Sequence, residues 1–158
     1  TEVGILRAIH LAEDTLKRAG NARPSIAVAA LNPHAGDHGK FGREEIDIIT
    51  PAIEACQRQQ MDVSGPWPSD TVFLKARRGE VDAVVTMYHD QGQIAIKLMG
   101  FERGVTVAGG LPIPIATPAH GTAFDIAGQN KANVSAIRQA FDLLLRMAKT
   151  HSDNKKSA

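Results

Sequence analysis

The chain has almost no cysteine, almost no net charge and no long apolar run. Cys56 is its only cysteine, so no intramolecular disulfide can form, and a position inside a helical pattern marks it as a small buried hydrophobe rather than a nucleophile. A formal charge of +1 leaves no electrostatic footprint for nucleic acid or an anionic membrane. With neither a membrane-length stretch nor a signal-peptide pattern, the reading is a cytoplasmic protein. Internal repeats and low-complexity segments are absent too.

What is there is ordinary for a globular chain: 43% hydrophobic and 22% charged residues. A length of 158 residues suits one domain of common size, or half of something larger. Residues 1–150 are expected to fold, and 151–158, with Ser152, Asp153 and Lys155, to form a flexible tail.

Val3, Ile5, Leu6, Ile9, Leu11, Ala12 and Leu16 follow a helical rhythm from Glu2 to Arg18 that Gly20 ends. Ile26 to Leu31 reads as a buried strand. The loop Asn32 to Gly42 follows, holding His34 and His38, and suits either a ligand-binding loop at a strand's carboxyl end or a simple connection. Glu44 to Gln60 reads as an amphipathic helix, and Ser64 to Asp70 as a stiff, turn-rich loop. Thr71 to Arg78 reads as a short helix capped by Ser69 or Asp70. Ala83 to Met87 is an apolar strand ending abruptly in Tyr88-His89-Asp90, the stretch around which the rest is read. Gln91 to Met99 follows as a helix, with Ile94, Ile96 and Leu98 near the core. Val105 to Ala108 is a short strand, Gly109 to Pro118 an extended passage, and Ser135 to Lys149 a final helix. This order predicts an α/β fold, a sheet layered by helices with most polar loops at one edge.

His34 and His89 each follow an apolar strand, and neutral imidazole is a common metal ligand. Asp37, Asp70 and Asp90 could orient them, and His38 could replace His34. Lone loop histidines also serve as plain surface residues, and His10 and His151 read as ordinary surface residues on helices. His120 to Asn133 suits a backbone approaching a nucleotide, or a tight loop capping the last helix; it is not the Rossmann glycine fingerprint.

The run His120-Gly121-Thr122-Ala123-Phe124-Asp125-Ile126-Ala127-Gly128, with Ala132-Asn133, resembles the adenine-binding loop of the isocitrate and isopropylmalate dehydrogenase superfamily. Together with Leu31 to Gly36, Gly65 to Thr71 and Tyr88 to Gly92, the resemblance narrows to the 4-hydroxythreonine-4-phosphate dehydrogenase family, from about Ile26 to Leu145. It implies a three-layer α/β/α fold, and a homodimer with its active site near the subunit interface. The implied enzyme oxidises a secondary alcohol with NAD and decarboxylates the β-keto acid, using a divalent metal such as zinc, cobalt, manganese or magnesium. His34 and His89 would be two of three metal histidines, the third lying in a preceding half of an enzyme about twice this length. Asp70, Asp90 and Lys97 would be catalytic, with Lys97 also contacting a small-molecule substrate. His120, Gly121, Thr122, Ala123, Asp125 and Asn133 would hold the adenosine end of NAD, the Asp125 carboxylate repelling a ribose 2′-phosphate.

Thr106 and Ile115 stand where the biosynthetic enzyme carries a substrate-contacting asparagine and arginine. Losing a guanidinium removes a bidentate clamp for an anion. The main expectation is therefore a paralogue acting on an aromatic cis-dihydrodiol carboxylate such as that from terephthalate. The alternatives are the pyridoxal phosphate pathway enzyme itself, or an inactive piece that only folds, dimerises or binds nucleotide.

Overall fold

The computed structural model describes residues 1–156, without the side chains of residues 101 and 151–156. The flexible tail expected at 151–158 thus falls outside the fully described residues. The chain divides into two compact units, Thr1–Lys17 with Asn21–Ala95, and Arg18–Gly20 with Ile96–Ala158.

The first unit is a parallel sheet between helices. Strand β1 (Ile26–Ala29) lies at its centre, flanked by β2 (Val63–Trp67) and β3 (Ala83–Val85), both parallel to it. Period-two alternation along β1 builds the two cores. Ile26 and Val28 face one side, packing with Ile5 and Ile9 of α1 (Glu2–Arg18) and with Ala52, Ile53 and Cys56 of α2 (Thr50–Arg58). Ala27 and Ala29 face the other, against Val72 and Phe73 of α3 (Val72–Arg77). A fully buried isoleucine such as Ile9 stabilises the fold by about 1.5–3 kcal/mol. The expected three-layer α/β/α arrangement is present here.

Several local expectations are corrected. Ser64 to Trp67, read as loop, belongs to β2, because an edge strand tolerates proline and its register with β1 is bulged between Ala27 and Ala29. At Gly65 (φ +135°) a Cβ would meet the Val28 carbonyl oxygen at 2.5 Å, so only glycine fits there. Thr71, not Ser69 or Asp70, is the N-cap residue of α3, and its side chain makes no capping bond. The helix after β3 is α4 (His89–Gly100), which starts two residues early and takes His89 and Asp90 into its first turn. Ile94, Ile96 and Leu98 on α4 are exposed rather than near the core. A π-helical turn, Glu45–Ile49, precedes α2.

The second unit is an antiparallel ribbon backed by one helix. Strand β4 (Val105–Ala108) pairs with β5 (Ile115–Pro118), and Ala136, Ala140 and Met147 of α5 (Ser135–Lys156) are buried. Val105, Val107, Ala116 and Pro118 are half-buried on one ribbon face. Thr106, Ala108, Ile115 and Thr117 are exposed on the other.

Candidate functional site

Two segments of the first unit carry the metal-candidate histidines. The first leaves β1 at Ala29 and reaches His34 through Ala30, Leu31, Asn32 and Pro33. Here the backbone turns left-handed for five consecutive residues, His34 to His38, four of them not glycine. At about 1–2 kcal/mol per non-glycine residue, this turn stores roughly 4–8 kcal/mol. Such strain persists only where surroundings over-determine it, and Glu45 holds Leu31 and Asn32, which lead into the turn.

The Glu45 carboxylate is 2% exposed. Its Oε1 accepts the Leu31 N–H at 2.8 Å and the Asn32 N–H at 2.7 Å, and its Oε2 accepts Asn32 Nδ2 at 2.9 Å. Burial pushes this carboxyl up, but the donors from Asn32 and Leu31 outweigh that and hold it below the usual carboxylate range. Gly36 (φ +81°) packs against the same group, for a Cβ there would lie 2.7 Å from Glu45 Oε2. The His34 imidazole itself is exposed, its ring centroid 6.0 Å from that of Phe41.

The second segment leaves β3 at Val85 and enters α4 at His89. Asp90 Oδ1 lies 2.8 Å from His89 Nδ1. A carboxylate that accepts the Nδ1–H hydrogen bond orients the ring and leaves the Nε2 lone pair free for a ligand. Gln91 Oε1 accepts the Met87 N–H, and Gln91 Nε2 donates to the Ala30 carbonyl, both at 2.8 Å. Asp70 is exposed and makes no ion pair among the described residues. No group of three or more His, Cys, Asp and Glu able to hold a metal occurs among the described residues. The described residues thus form no closed metal site around His34 or His89.

The remaining candidates lie in the second unit. Thr106 opposes Thr117, and Ile115 opposes Ala108, which puts Thr106 and Ile115 diagonally on the same exposed ribbon face. Lys97 is exposed on α4. His120, Gly121, Ala123 and Asn133 line one pocket of about 410 Å³, and Thr122 lines an adjoining one of about 440 Å³. Both volumes fall within the range of about 300–1,000 Å³ usual for small-molecule sites. Asp125 lines neither; it is exposed in the short 3₁₀ turn Phe124–Ile126. His120 Nδ1 lies 2.8 Å from the Gly121 carbonyl, and donation there leaves Nε2 as the acceptor. Asn133 Oδ1 accepts the Ser135 N–H at 2.9 Å, so this residue secures the start of α5 while lining the pocket. The two readings of this loop, nucleotide approach and helix cap, are compatible.

Sequence reasoning missed Glu45, Gln91 and Glu102. Glu102 joins the pocket wall with no local signal. Glu45 was legible only as one acidic residue at a helix start, and Gln91 only as the residue after His89-Asp90.

The family model described as "Pyridoxal phosphate biosynthetic protein PdxA" matches residues 1–144. A 4-hydroxythreonine-4-phosphate dehydrogenase from Beijerinckia indica is 53% identical over 142 residues, 90% of this chain and 42% of that protein. A D-threonate 4-phosphate dehydrogenase from Pectobacterium atrosepticum is 49% identical over 140 residues, 89% of this chain and 43% of that protein. The crystal structure of a 4-hydroxythreonine-4-phosphate dehydrogenase from Klebsiella pneumoniae matches with a TM-score of 0.81 at 45% identity, covering 94% of this chain and 45% of that one. This chain spans less than half the length of the curated relatives it matches.

These matches overturn the expected aromatic dihydrodiol substrate. A terephthalate 1,2-cis-dihydrodiol dehydrogenase from Burkholderia xenovorans is more distant, with a TM-score of 0.72 and 33% identity over 91% of this chain and 46% of that one. Physically, Ile115 sits on an exposed ribbon face beside Thr106, which makes no closed apolar wall for an aromatic ring. The chain belongs to the family described as pyridoxal phosphate biosynthetic protein PdxA.

Proposed function

We propose that this chain is part of a 4-hydroxythreonine-4-phosphate dehydrogenase, which oxidises the substrate's secondary alcohol with NAD and releases carbon dioxide from the resulting β-keto acid. The observation that carries this reading is the 53% identity to the Beijerinckia indica enzyme across 90% of the chain. The segments bearing His34 and His89 and the pocket at His120 to Asn133 support it.

His34 and His89 would hold a divalent cation, with further donors from elsewhere in a longer polypeptide or a second copy. Two imidazoles, one oriented by Asp90, fit such a role; zinc, cobalt and manganese all accept nitrogen donors. When bound, NAD accepts hydride and the cation stabilises negative charge on the reacting oxygen. Lys97 offers a positive charge to the anionic substrate, and Asp70 and Asp90 offer carboxylates for proton transfer. The His120 to Asn133 loop would cradle adenosine, with Asp125 disfavouring a 2′-phosphate.

A homodimer belongs to this reading. Leu98, 84% exposed, and Phe124, 81% exposed, are apolar side chains that a second copy or the rest of a longer polypeptide would cover. A cytoplasmic site suits an enzyme drawing on the NAD pool, and no helix among the described residues is long and apolar enough to cross a membrane.

D-threonate 4-phosphate is a second reading, carried by the 49% identity to the Pectobacterium atrosepticum enzyme. It differs from 4-hydroxythreonine-4-phosphate only in bearing a hydroxyl where the latter bears an amine. A substrate panel on the complete polypeptide, following NADH formation with each phosphorylated acid, decides between them. Turnover dominated by 4-hydroxythreonine-4-phosphate supports the main reading; turnover confined to D-threonate 4-phosphate replaces it.

A further inference from the structure

Two polar side chains are buried among the described residues, Glu45 at 2% and Gln91 at 8% exposure. They come from different elements and converge on the same peptide unit. Gln91 Nε2 donates to the carbonyl of Ala30, while Glu45 Oε1 accepts the N–H of Leu31. Those two groups belong to the single Ala30–Leu31 peptide plane, which is therefore gripped from both sides. Its neighbours are held as well: Ala30 N–H donates to the Trp67 carbonyl at 2.8 Å, and Asn32 N–H to Glu45 at 2.7 Å.

We infer that Glu45 and Gln91 form one buried clamp that fixes the His34 and His89 segments relative to each other, and that both are positioning residues for the metal donors. The side-chain amide of Gln91 links the segments directly, taking the Met87 N–H two residues before His89 and giving its own proton to Ala30, four residues before His34. Glu45 completes the grip from the start of the π-helical turn. Burying a carboxylate and an amide costs free energy unless every bond is made. Here the bonds are made, and to backbone that carries the histidines. Neither residue reaches a reacting atom; each acts through the peptide it holds. The inference rests on the proposed metal role of His34 and His89 only for its second readout.

The test uses the complete polypeptide and two measurements. In Gln91→Met, which keeps the volume and removes both bonds, the Leu31 amide is expected to exchange its hydrogen at least about tenfold faster although its own acceptor, Glu45, is untouched. Amides of Ile9 and Ile53, in α1 and α2, should be unchanged. Cobalt(II), titrated alone and followed by its visible absorption, should bind at least about tenfold more weakly to Gln91→Met and to Glu45→Ala, with an altered band. Their double variant should lose no more than the worse single one, because both act on one peptide. Glu45→Gln, which retains Oε1 as acceptor, should restore most of the binding. If Glu45→Ala does not fold, Leu31 exchange and cobalt binding in Gln91→Met and in Gln91→Glu, which keeps the bond to Met87 but loses the donor to Ala30, decide the clamp without the double variant. Unchanged exchange at Leu31, or independent additive losses in the double variant, overturns the clamp. A parent protein that binds no cobalt refutes the metal reading, while the exchange measurement still decides the clamp.

Discussion

Replacing Glu45 by alanine should destabilise the first unit by roughly 2–4 kcal/mol, since it strands the part-buried N–H groups of Leu31 and Asn32 at about 1–2 kcal/mol each, the lower part of the range for an unpaired donor. Glu45→Gln keeps an oxygen for both and places an NH2 group only against Asn32 Nδ2, so it should cost about 1–2 kcal/mol. The difference must also depend on pH, with a definite sign. The folded-state pKa of Glu45 lies below its unfolded value, so its ionised form contributes stability that is present above about pH 4.3, the unfolded pKa, and lost as pH falls through the folded pKa. The gap between parent and Glu45→Ala should thus be full at pH 7 and shrink on acidification below about pH 4. Urea unfolding followed by fluorescence of Trp67, the only tryptophan, measures it; the indole lies on β2 beside β1. A Glu45→Ala cost under about 1 kcal/mol at pH 7, or a gap that widens with acid, would refute the reasoning.

Neighbouring positions give opposite expectations. Ala35→Gly relieves a left-handed residue (φ 52°) and should raise stability by about 0.5–1 kcal/mol after the glycine's larger unfolded-state entropy is counted, read as a higher Tm. Gly36→Ala should lower stability by about 2 kcal/mol or more, since its Cβ would press on Glu45 Oε2; an unchanged Tm would count against the packing described. Cys56 is fully buried and its thiol is pushed up by burial and by Glu13, so a thiol reagent should modify it only as the protein unfolds. Labelling of the native protein at the rate of a free thiol would contradict that burial.

The parts of the fold that the sequence made legible are those where one local signal dominates. The spacing of Ile5 and Ile9 specified α1, and the run Ile26 to Ala29 specified the central strand, because burial on both faces demands continuous small and branched apolar residues. The strand β2 was hidden because Gly65 and Pro66 signal a turn locally, and only the neighbouring Val28 carbonyl explains why glycine is needed there. The apolar residues of α4 misled in the opposite way: hydrophobicity reports a need for cover, not where that cover comes from. At the candidate site, histidines after apolar strands stood out, and the pocket residues His120, Gly121, Ala123 and Asn133 come from one fourteen-residue stretch of the chain. The clamp could not be read, since Glu45 and Gln91 meet at Ala30–Leu31 only through tertiary packing. The substrate misreading came from giving two positions, Thr106 and Ile115, more weight than the whole chain.

The most direct test of the metal-dependent dehydrogenase reading is NADH formation from 4-hydroxythreonine-4-phosphate by the complete polypeptide and its His89→Ala variant, each assayed with and without added divalent metal. The expected result is a metal-dependent parent and a variant whose kcat falls by more than about 100-fold, beyond the 10–100-fold usual for outer-shell residues. A His89→Ala enzyme that turns over this substrate at the parent's rate would contradict the account.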